Sequence, residues 1–329
     1  MPALERPAAG ALERRLAADP RWLGAWAVVA AFGAYACMYG LRKPFTAAAY
    51  ESPPFGPGAK ALLVLAQVLG YAASKWLGIR FIAELQPHRR LATLLGLVGG
   101  AEAALVLFGL APVRLGPVFL FLNGLALGLV FGLVLGFLEG RRLTEALVGG
   151  LCASFIVADG ATKSAGALLL AAGVPERWMP AVAGAAFLLP LLGFAAMLGC
   201  LPGPSPEDVA ARTRRMPLDR PARRAFLVRH APGLAAIVLA YLVITVLRSL
   251  RADFAPELWA ALGTSGQPGV FTQSEVGVAL GILAVNAFTG APLWSLTGLA
   301  GQGTVGGIRM GQGLLVGDAG EGLSGISLR

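Results

Sequence analysis

The chain has 329 residues, of which 56% are hydrophobic and only 14% are charged, and its mean hydropathy is +0.70. Soluble domains carry charge on about a quarter of their residues, so this composition excludes an ordinary soluble protein. The net charge of +9 comes from arginines that lie between apolar runs with few aromatic residues among them. This distribution argues against nucleic acid as a partner and for the positive-inside bias of a membrane protein.

Apolar runs of about 20 residues predict an all-α polytopic membrane protein, because a helix of this length can cross the bilayer. Eight helices are predicted, at residues 22–49, 60–82, 91–111, 117–138, 146–172, 179–200, 231–250 and 273–294. The predicted divisions are an N-terminal segment (1–21), a six-helix bundle (22–200), a basic linker (201–230), the start of a second bundle (231–294) and a Gly-rich tail (295–329).

Basic residues predict the orientation of the chain. Segments 1–21, 139–145 and 201–230 are rich in arginine, whereas loops 51–58 and 252–272 hold few basic residues and some acids. Because arginines favour the cytoplasmic side, we expect a multi-pass protein of a bacterial-type inner membrane with its N-terminus and linker in the cytoplasm.

Cysteine and histidine, residue types that often catalyse reactions or bind metals, are scattered along the chain. The cysteines lie singly in apolar runs, where we interpret them as small hydrophobes, and the histidines are isolated in loops. These residues are Cys37, Cys152, Cys200, His88 and His230. The pattern predicts no metal site and no enzyme. The glycine pattern at 301–306 lacks the strand that precedes a dinucleotide site, so no nucleotide or other cofactor is expected.

Two adjacent cations, Arg42 and Lys43, follow the first apolar run, and Pro44 comes directly after them. A charge at membrane depth costs roughly 2.5–3.5 kcal/mol, so these side chains either reach the interface as a helix end-cap or bind something anionic. The apolar pattern resumes over residues 45–50, which favours a first helix that continues past the cations and buries them.

Other ionisable residues inside predicted membrane helices are functional hypotheses, because burying a charge in the bilayer is costly. Asp159 and Lys163 are spaced i, i+4 and therefore share one helical face, which predicts a pair that faces the bundle interior. Such a pair is either structural or part of a gate. The remaining candidates are Lys75, Glu102, Arg248 and Glu275.

A Tyr–Arg spacing recurs in the two halves of the chain. Tyr35 and Arg42 are seven residues apart, and so are Tyr241 and Arg248. Parallel repeats are one route by which transporters place matched groups around a midplane site. Two arginines there suit a phosphate-like anion, because a guanidinium group binds phosphate through two hydrogen bonds. The alternative is that both arginines only cap helix ends.

Glycines recur at every fourth position of predicted helix 4, at Gly124, Gly128, Gly132 and Gly136. This spacing places them on one face, where a neighbouring helix backbone can approach closely.

Six helices, a basic inner linker and a second set of helices resemble the major facilitator superfamily, and the short motifs are most similar to its organophosphate–phosphate antiporter branch. That branch has Arg-Lys in its first helix, Tyr-x-x-Ser-Lys in its second, and an Arg before an acidic-aromatic segment in its seventh. The similar stretches here are Arg42-Lys43, Tyr71-Ala72-Ala73-Ser74-Lys75, Arg248, Asp253-Phe254 and Trp259. The resemblance covers residues 22 to about 280. It implies that Arg42 and Arg248 bind the substrate phosphate while Lys75 adds charge.

The loop between predicted helices 2 and 3 departs from the superfamily pattern, Gly-x-x-x-Asp-Arg/Lys-x-Gly-Arg/Lys. Ile82 stands where the Asp belongs, Glu84 comes two residues late, and Arg89-Arg90 preserve the basic end. The superfamily's helices 9–12 also lack counterparts, because no run after about residue 295 is long enough to span a membrane.

The predicted function is secondary transport of a small, phosphate-bearing organic anion by alternating access. The alternative is a non-transporting membrane sensor or assembly factor on the same scaffold. We expect the tail to be disordered or non-native, and the chain alone to be an incomplete transporter. The predicted substrate-binding residues are Arg42, Arg248, Lys75, Lys43, Tyr35, Tyr39 and Tyr241; those for coupling or gating are Asp159, Lys163, Glu102, Glu84, Arg89 and Arg90.

The predicted orientation is tested by labelling with a membrane-impermeant maleimide after the native cysteines are replaced. Arg215→Cys, in the linker, should react in inverted vesicles but not in intact cells, because arginine-rich segments remain cytoplasmic. Glu257→Cys, in the predicted outer loop, is the control and should react in intact cells. Reaction of Arg215→Cys in intact cells would reverse the orientation.

Overall fold

The computed structural model describes residues 11–51, 55–141, 144–210, 220–263 and 267–289. The predicted tail (295–329) lies outside the described residues. The α-helices are α1 (Ala11–Ala18), α2 (Pro20–Gly40), α3 (Ala59–Glu84), α4 (Arg90–Leu110), α5 (Gly116–Leu127), α6 (Val130–Leu138), α7 (Thr144–Ala171), α8 (Met179–Gly199), α9 (Pro206–Ala210), α10 (Arg220–Asp253), α11 (Ala255–Ala261) and α12 (Val270–Thr289).

The described residues contain helices and connecting turns but no strand. Six stretches are long and apolar enough to cross a membrane: Pro20–Gly40, Ala59–Gly78, Pro87–Leu110, Val113–Leu138, Met179–Gly199 and Arg224–Asp253. The chain is therefore an all-α protein with the helices of a polytopic membrane protein. Predicted helices 5 and 8 correspond to α7 and α12, which are not among these six.

The first membrane helix is shorter than predicted. It ends at Gly40 rather than near residue 49, and a 3-10 turn at Pro44–Ala47 follows. The prediction was wrong because Pro44 has no backbone N–H to continue the α-helical hydrogen bonds. The two cations before it are nevertheless buried, since Arg42 and Lys43 are only 8% and 7% exposed.

The predicted linker is partly helical, because α10 begins at Arg220 rather than near residue 231. Pro221 is the second residue of this helix, where the missing N–H has no intrahelical partner to lose. The helix also continues through Pro232 and ends at Asp253. The predicted loop 252–272 was likewise wrong, since it includes α11 and the first turn of α12.

Glycines bring α3 against α5 and α6, as their four-residue spacing predicts. A side chain at Gly124 would collide with the backbone carbonyl of Gln67, and Gly128 lies against Ser74. Further along the same face, Gly132 meets Ile82 and Gly136 meets Arg90. The predicted single helix is interrupted between α5 and α6, at Gly128 and Leu129, but the glycine face continues across the break.

The remaining helices pack beside α2 and on one another. This helix contacts α7 and α8, α4 contacts α5 and α8, and α12 lies on α7. In contrast, α10 is largely exposed: among its described side chains only Ala252 and Asp253, at its C-terminal end, are buried. The second set of helices (α10–α12) therefore meets the bundle through the end of α10, through α11 and through α12.

The α3–α5 contact is tested by Gly124→Ala, with Gly100→Ala as the control. The added methyl group at position 124 meets backbone atoms of α3. We expect a loss of about 1–3 kcal/mol in unfolding free energy, measured by denaturation in detergent micelles. Gly100 lies in α4 with open space beside it, so the same change should leave stability within about 1 kcal/mol of the parent. Equal effects at the two positions would contradict the close packing.

Candidate anion-binding site

The turn at residues 41–43 is held by two buried amide side chains. Gln67 Nε2 donates to the Arg42 carbonyl at 3.1 Å and to Asn123 Oδ1 at 2.9 Å. Asn123 Nδ2 in turn donates to the Leu41 carbonyl at 3.2 Å. Because Gln67 lies on α3 and Asn123 on α5, the close packing of these helices fixes the direction in which Arg42 and Lys43 leave the backbone.

Arg42 points into a group of tyrosines. Its Cζ atom lies 4.0 Å from the ring centroid of Tyr71 and 5.9 Å from that of Tyr39, both cation–π distances. The Nε atom is buried and has no hydrogen-bond partner. Among the described residues, Arg42 also forms no ion pair. The carboxylate within its electrostatic range, Asp253, is bonded to Lys43, so in the described part of the chain this buried guanidinium group has no ion-pair partner of its own.

A second cation lies beside the same aromatic group. Lys75 Nζ is 5.0 Å from the ring centroid of Tyr71 and 5.3 Å from that of Phe131, and its side chain is exposed. The Tyr71 hydroxyl lies 3.4 Å from the Tyr35 hydroxyl. We call these five residues the Arg42 site: Arg42, Lys75, Tyr35, Tyr39 and Tyr71.

Lys43 points into a chain of charged residues. Its Nζ donates to Asp253 Oδ1 at 2.5 Å and lies 3.6 Å from Asp159 Oδ1. The other oxygen of Asp159 is bound by Lys163, four residues later on α7. The structure thus forms the Asp159–Lys163 pair that the spacing predicts, with both residues buried. Its role in coupling or gating stays a prediction.

The two adjacent cations, Arg42 and Lys43, therefore differ in whether a carboxylate neutralises them, and this difference determines which of them can bind an added anion. Lys43 was predicted to bind substrate, but two carboxylates already neutralise it. Arg42 forms no ion pair among the described residues and lies against the ring faces of Tyr71 and Tyr39. Since a buried charge without a counter-charge is costly, Arg42 is the residue that gains most from an added anion.

Further contacts connect the bundle to the second set of helices at the same end. Lys60, at the start of α3, pairs with Glu257 at 2.5 Å, and the Thr272 hydroxyl lies 2.7 Å from that of Ser164. Within the second set, Arg251 pairs with Glu275 at 2.8 Å. We call the three contacts between the sets the junction: Lys43–Asp253, Lys60–Glu257 and Ser164–Thr272.

The predicted match between the two Tyr–Arg pairs is not reproduced by burial. Tyr35 is fully buried, whereas Tyr241 is 37% exposed on the open face of α10. Equal spacing did not give equal surroundings, because α10 contacts the bundle only near its end. Arg248 is half-buried and makes no hydrogen bond or ion pair among the described residues, but it lies within electrostatic range of Tyr39 and Asp159.

Glu102 lies apart from both groups. It is on α4, and its Oε2 atom is buried against Gly184 of α8 without a hydrogen-bond partner. Its predicted part in coupling therefore has no contact with Asp159 or Lys163 among the described interactions.

The predicted gating residues between α3 and α4 are also separate from the charged chain. The Arg90 side chain donates to the Gly136 carbonyl near the end of α6, and Arg89 is exposed. The side chain of Glu84 lies outside the described residues. Arg90 thus ties α4 to α6, which explains why a basic residue suits this position without the acidic partner of the superfamily pattern.

Sequence reasoning missed several members of the site. Asp253 was interpreted as part of an outer segment, and Tyr71 only as part of a motif, although both are buried beside the cations. The buried amides Gln67 and Asn123 were not predicted. A polar residue in the middle of an apolar run was the available signal for both.

No group of three or more His, Cys, Asp or Glu side chains suited to a metal ion occurs in the described part of the chain. The fold and site define a helical membrane protein with a buried, unpaired cation. Residues 44–291 match the family described as "Family of unknown function (DUF5690)", and this match covers most of the chain, which therefore belongs to that family. Neither the curated proteins nor the solved structures gave a match.

The Lys43–Asp253 pair is tested by comparing single and double substitutions. Lys43→Met should lower the unfolding free energy by about 3–5 kcal/mol, because Asp253 loses its bonded partner in a buried position. Adding Asp253→Asn should recover most of this loss. Lys60→Met is the control: its partner Glu257 has a side chain 42% exposed, so we expect a loss of at most about 1 kcal/mol. A double variant as unstable as Lys43→Met would show that the pair is not the source of the effect.

Proposed function

We propose that this protein is a secondary transporter of a small, phosphate-bearing organic anion that works by alternating access. The observation that carries the proposal is the contrast between Lys43, which is neutralised by carboxylates, and Arg42, which is buried without one. A guanidinium group beside tyrosine hydroxyls suits phosphate, because it donates two parallel hydrogen bonds to it. Lys75 supplies further positive charge at the open side of Tyr71.

The resemblance to the major facilitator superfamily supports the same proposal. Five of the six apolar stretches, together with α7, precede a basic segment and a second set of helices, and Arg42, Lys75 and Arg248 resemble the motif residues of the organophosphate–phosphate antiporter branch. In that arrangement the N-terminus and the basic segment face the cytoplasm of a bacterial-type inner membrane, and the junction faces the opposite side.

Alternating access requires contacts between the two sets that form in one state and break in the other. The junction supplies polar contacts that can form and break, and most of α10 remains exposed, while α12 also packs on α7 where the Phe271 backbone lies against Gly160. Breaking it would open a path to the Arg42 site from that side. The exposed face of α10 belongs, in the proposal, to the path from the other side.

A membrane sensor or assembly factor remains the second candidate, favoured by the altered loop between α3 and α4. Both candidates bind an anion at the Arg42 site, but only a transporter moves it. The sequence predicts an incomplete transporter, whereas we propose that the helices present suffice. Purified protein in proteoliposomes loaded with phosphate should then exchange external labelled phosphate or glycerol phosphate for internal phosphate. Binding of these anions without exchange would favour the sensor.

Binding itself is tested with Arg42→Lys, with Arg229→Lys on the exposed part of α10 as the control. Affinity for glycerol phosphate, measured by titration calorimetry, should fall about tenfold or more in Arg42→Lys. One charge-assisted hydrogen bond is worth roughly 1.5–3 kcal/mol, and lysine cannot supply the two-pronged contact. Arg229→Lys should bind like the parent. No affinity in the parent, or an equal loss in both variants, would refute the proposed site.

A further inference from the structure

We infer that Asp159 is the second partner of Lys43 and takes over its charge when Asp253 withdraws. The inference rests on the proposed alternating access, in which the junction breaks in one state. Asp159 would then act as a positioning residue, because it keeps Lys43 paired and inside the bundle whether the junction is closed or open. Asp253 pairs with Lys43 only when the junction is closed.

The geometry of the Asp159 carboxylate carries the inference. Its Oδ2 atom is bound by Lys163, but its Oδ1 atom is buried and has no hydrogen-bond partner. That free oxygen lies 3.6 Å from Lys43 Nζ, which is bonded to Asp253 at 2.5 Å. Asp159 therefore holds an unused acceptor just beyond hydrogen-bond distance of Lys43, and a small movement of the ammonium group would complete the bond.

The exchange requires that Asp159 stay beside Lys43 when α10 moves. The turn that carries Lys43 is packed backbone to backbone on α7: a side chain at Gly166 would lie 2.8 Å from the Pro44 carbonyl oxygen. Asp159 lies on the same helix, two turns before Gly166. Asp253, by contrast, is the last residue of α10, which has little other buried contact.

Without a second partner, opening the junction would strand a buried ammonium group, and an unpaired buried charge is strongly disfavoured. With Asp159 available, the open state keeps Lys43 paired.

Opening the junction also changes the net charge of this group of residues. Two lysines and two aspartates are neutral together in the closed state; loss of Asp253 leaves Lys43, Asp159 and Lys163 with one net positive charge. That charge appears next to Arg42 when the path for an anion opens.

The competing explanation is that Asp159 only neutralises Lys163. Removing both members of that pair distinguishes the two roles. If Asp159 serves Lys163 alone, the variant Asp159→Asn/Lys163→Met leaves neither of these charges unpaired, and its effect on the junction, including the loss of their interaction with Glu275 of α12, is the same whether or not Lys43 and Asp253 are charged. If Asp159 also receives Lys43, the same variant favours the closed junction, because opening now strands Lys43.

The experiment uses the full chain with its native cysteines replaced and Ser164→Cys as the reporter. Ser164 is 7% exposed and bonds Thr272 across the junction, so its reaction rate with N-ethylmaleimide measures opening. Labelling is measured without substrate in four proteins: the reporter, the reporter with Asp159→Asn/Lys163→Met, the reporter with Lys43→Met/Asp253→Asn, and the reporter with all four changes. Asp253→Asn alone is the positive control and should accelerate labelling.

We expect Asp159→Asn/Lys163→Met to slow labelling about tenfold or more when Lys43 is present, and by less than about twofold when Lys43 and Asp253 are already neutral. An unchanged rate in the first comparison, or an equal change in both, would overturn the inference. If this variant does not reach the membrane, Asp159→Asn/Lys163→Gln provides the same comparison. Failure of Asp253→Asn to accelerate labelling would instead contradict alternating access at the junction.

Discussion

Two like charges on adjacent residues cannot share one buried environment, and the structure separates them by a turn. Helix α2 stops at Gly40, and Arg42 and Lys43 leave the turn that follows in different directions. Arg42 lies against the ring of Tyr71, whereas Lys43 pairs with Asp253. The chemistry of the site, and the contact between the two sets of helices, both depend on this turn.

The turn itself depends on the packing of α3 against α5. Gly124 allows the backbones of α3 and α5 to touch, and this contact brings Gln67 and Asn123 within 2.9 Å of each other. Their amide groups satisfy the carbonyls of Leu41 and Arg42, just after the end of α2. Because unpaired backbone groups are costly in a membrane, these side chains replace the hydrogen bonds that a continued helix would have made.

What the sequence predicts well is local. Apolar runs located the bodies of the membrane helices, and i, i+4 spacing was enough to pair Asp159 with Lys163, because both depend only on helical geometry. The Lys43–Asp253 pair joins residues 210 positions apart, and no local pattern specifies such a contact. Tyr241 shows the converse error: its spacing from Arg248 copies that of Tyr35 from Arg42, yet burial depends on which helices lie alongside. The prolines of the linker predicted a non-helical segment up to residue 230, but α10 begins at Arg220, because a proline such as Pro221 is tolerated in the first turn of a helix.

The placement of Arg248 and Asp253 on one helix gives the proposed transporter a reason to respond to its substrate. They are five residues apart on α10: Asp253 pairs with Lys43, and Arg248 lies within electrostatic range of Tyr39, as Arg42 does. In the closed state the lysine–aspartate pair attracts α10, whereas the two arginines repel it. An anion held between the arginines would convert that repulsion into attraction. Since a ligand shifts an equilibrium only by the difference in its affinity for the two states, an anion that contacts both sets has the required preference, and one held by Arg42 alone does not.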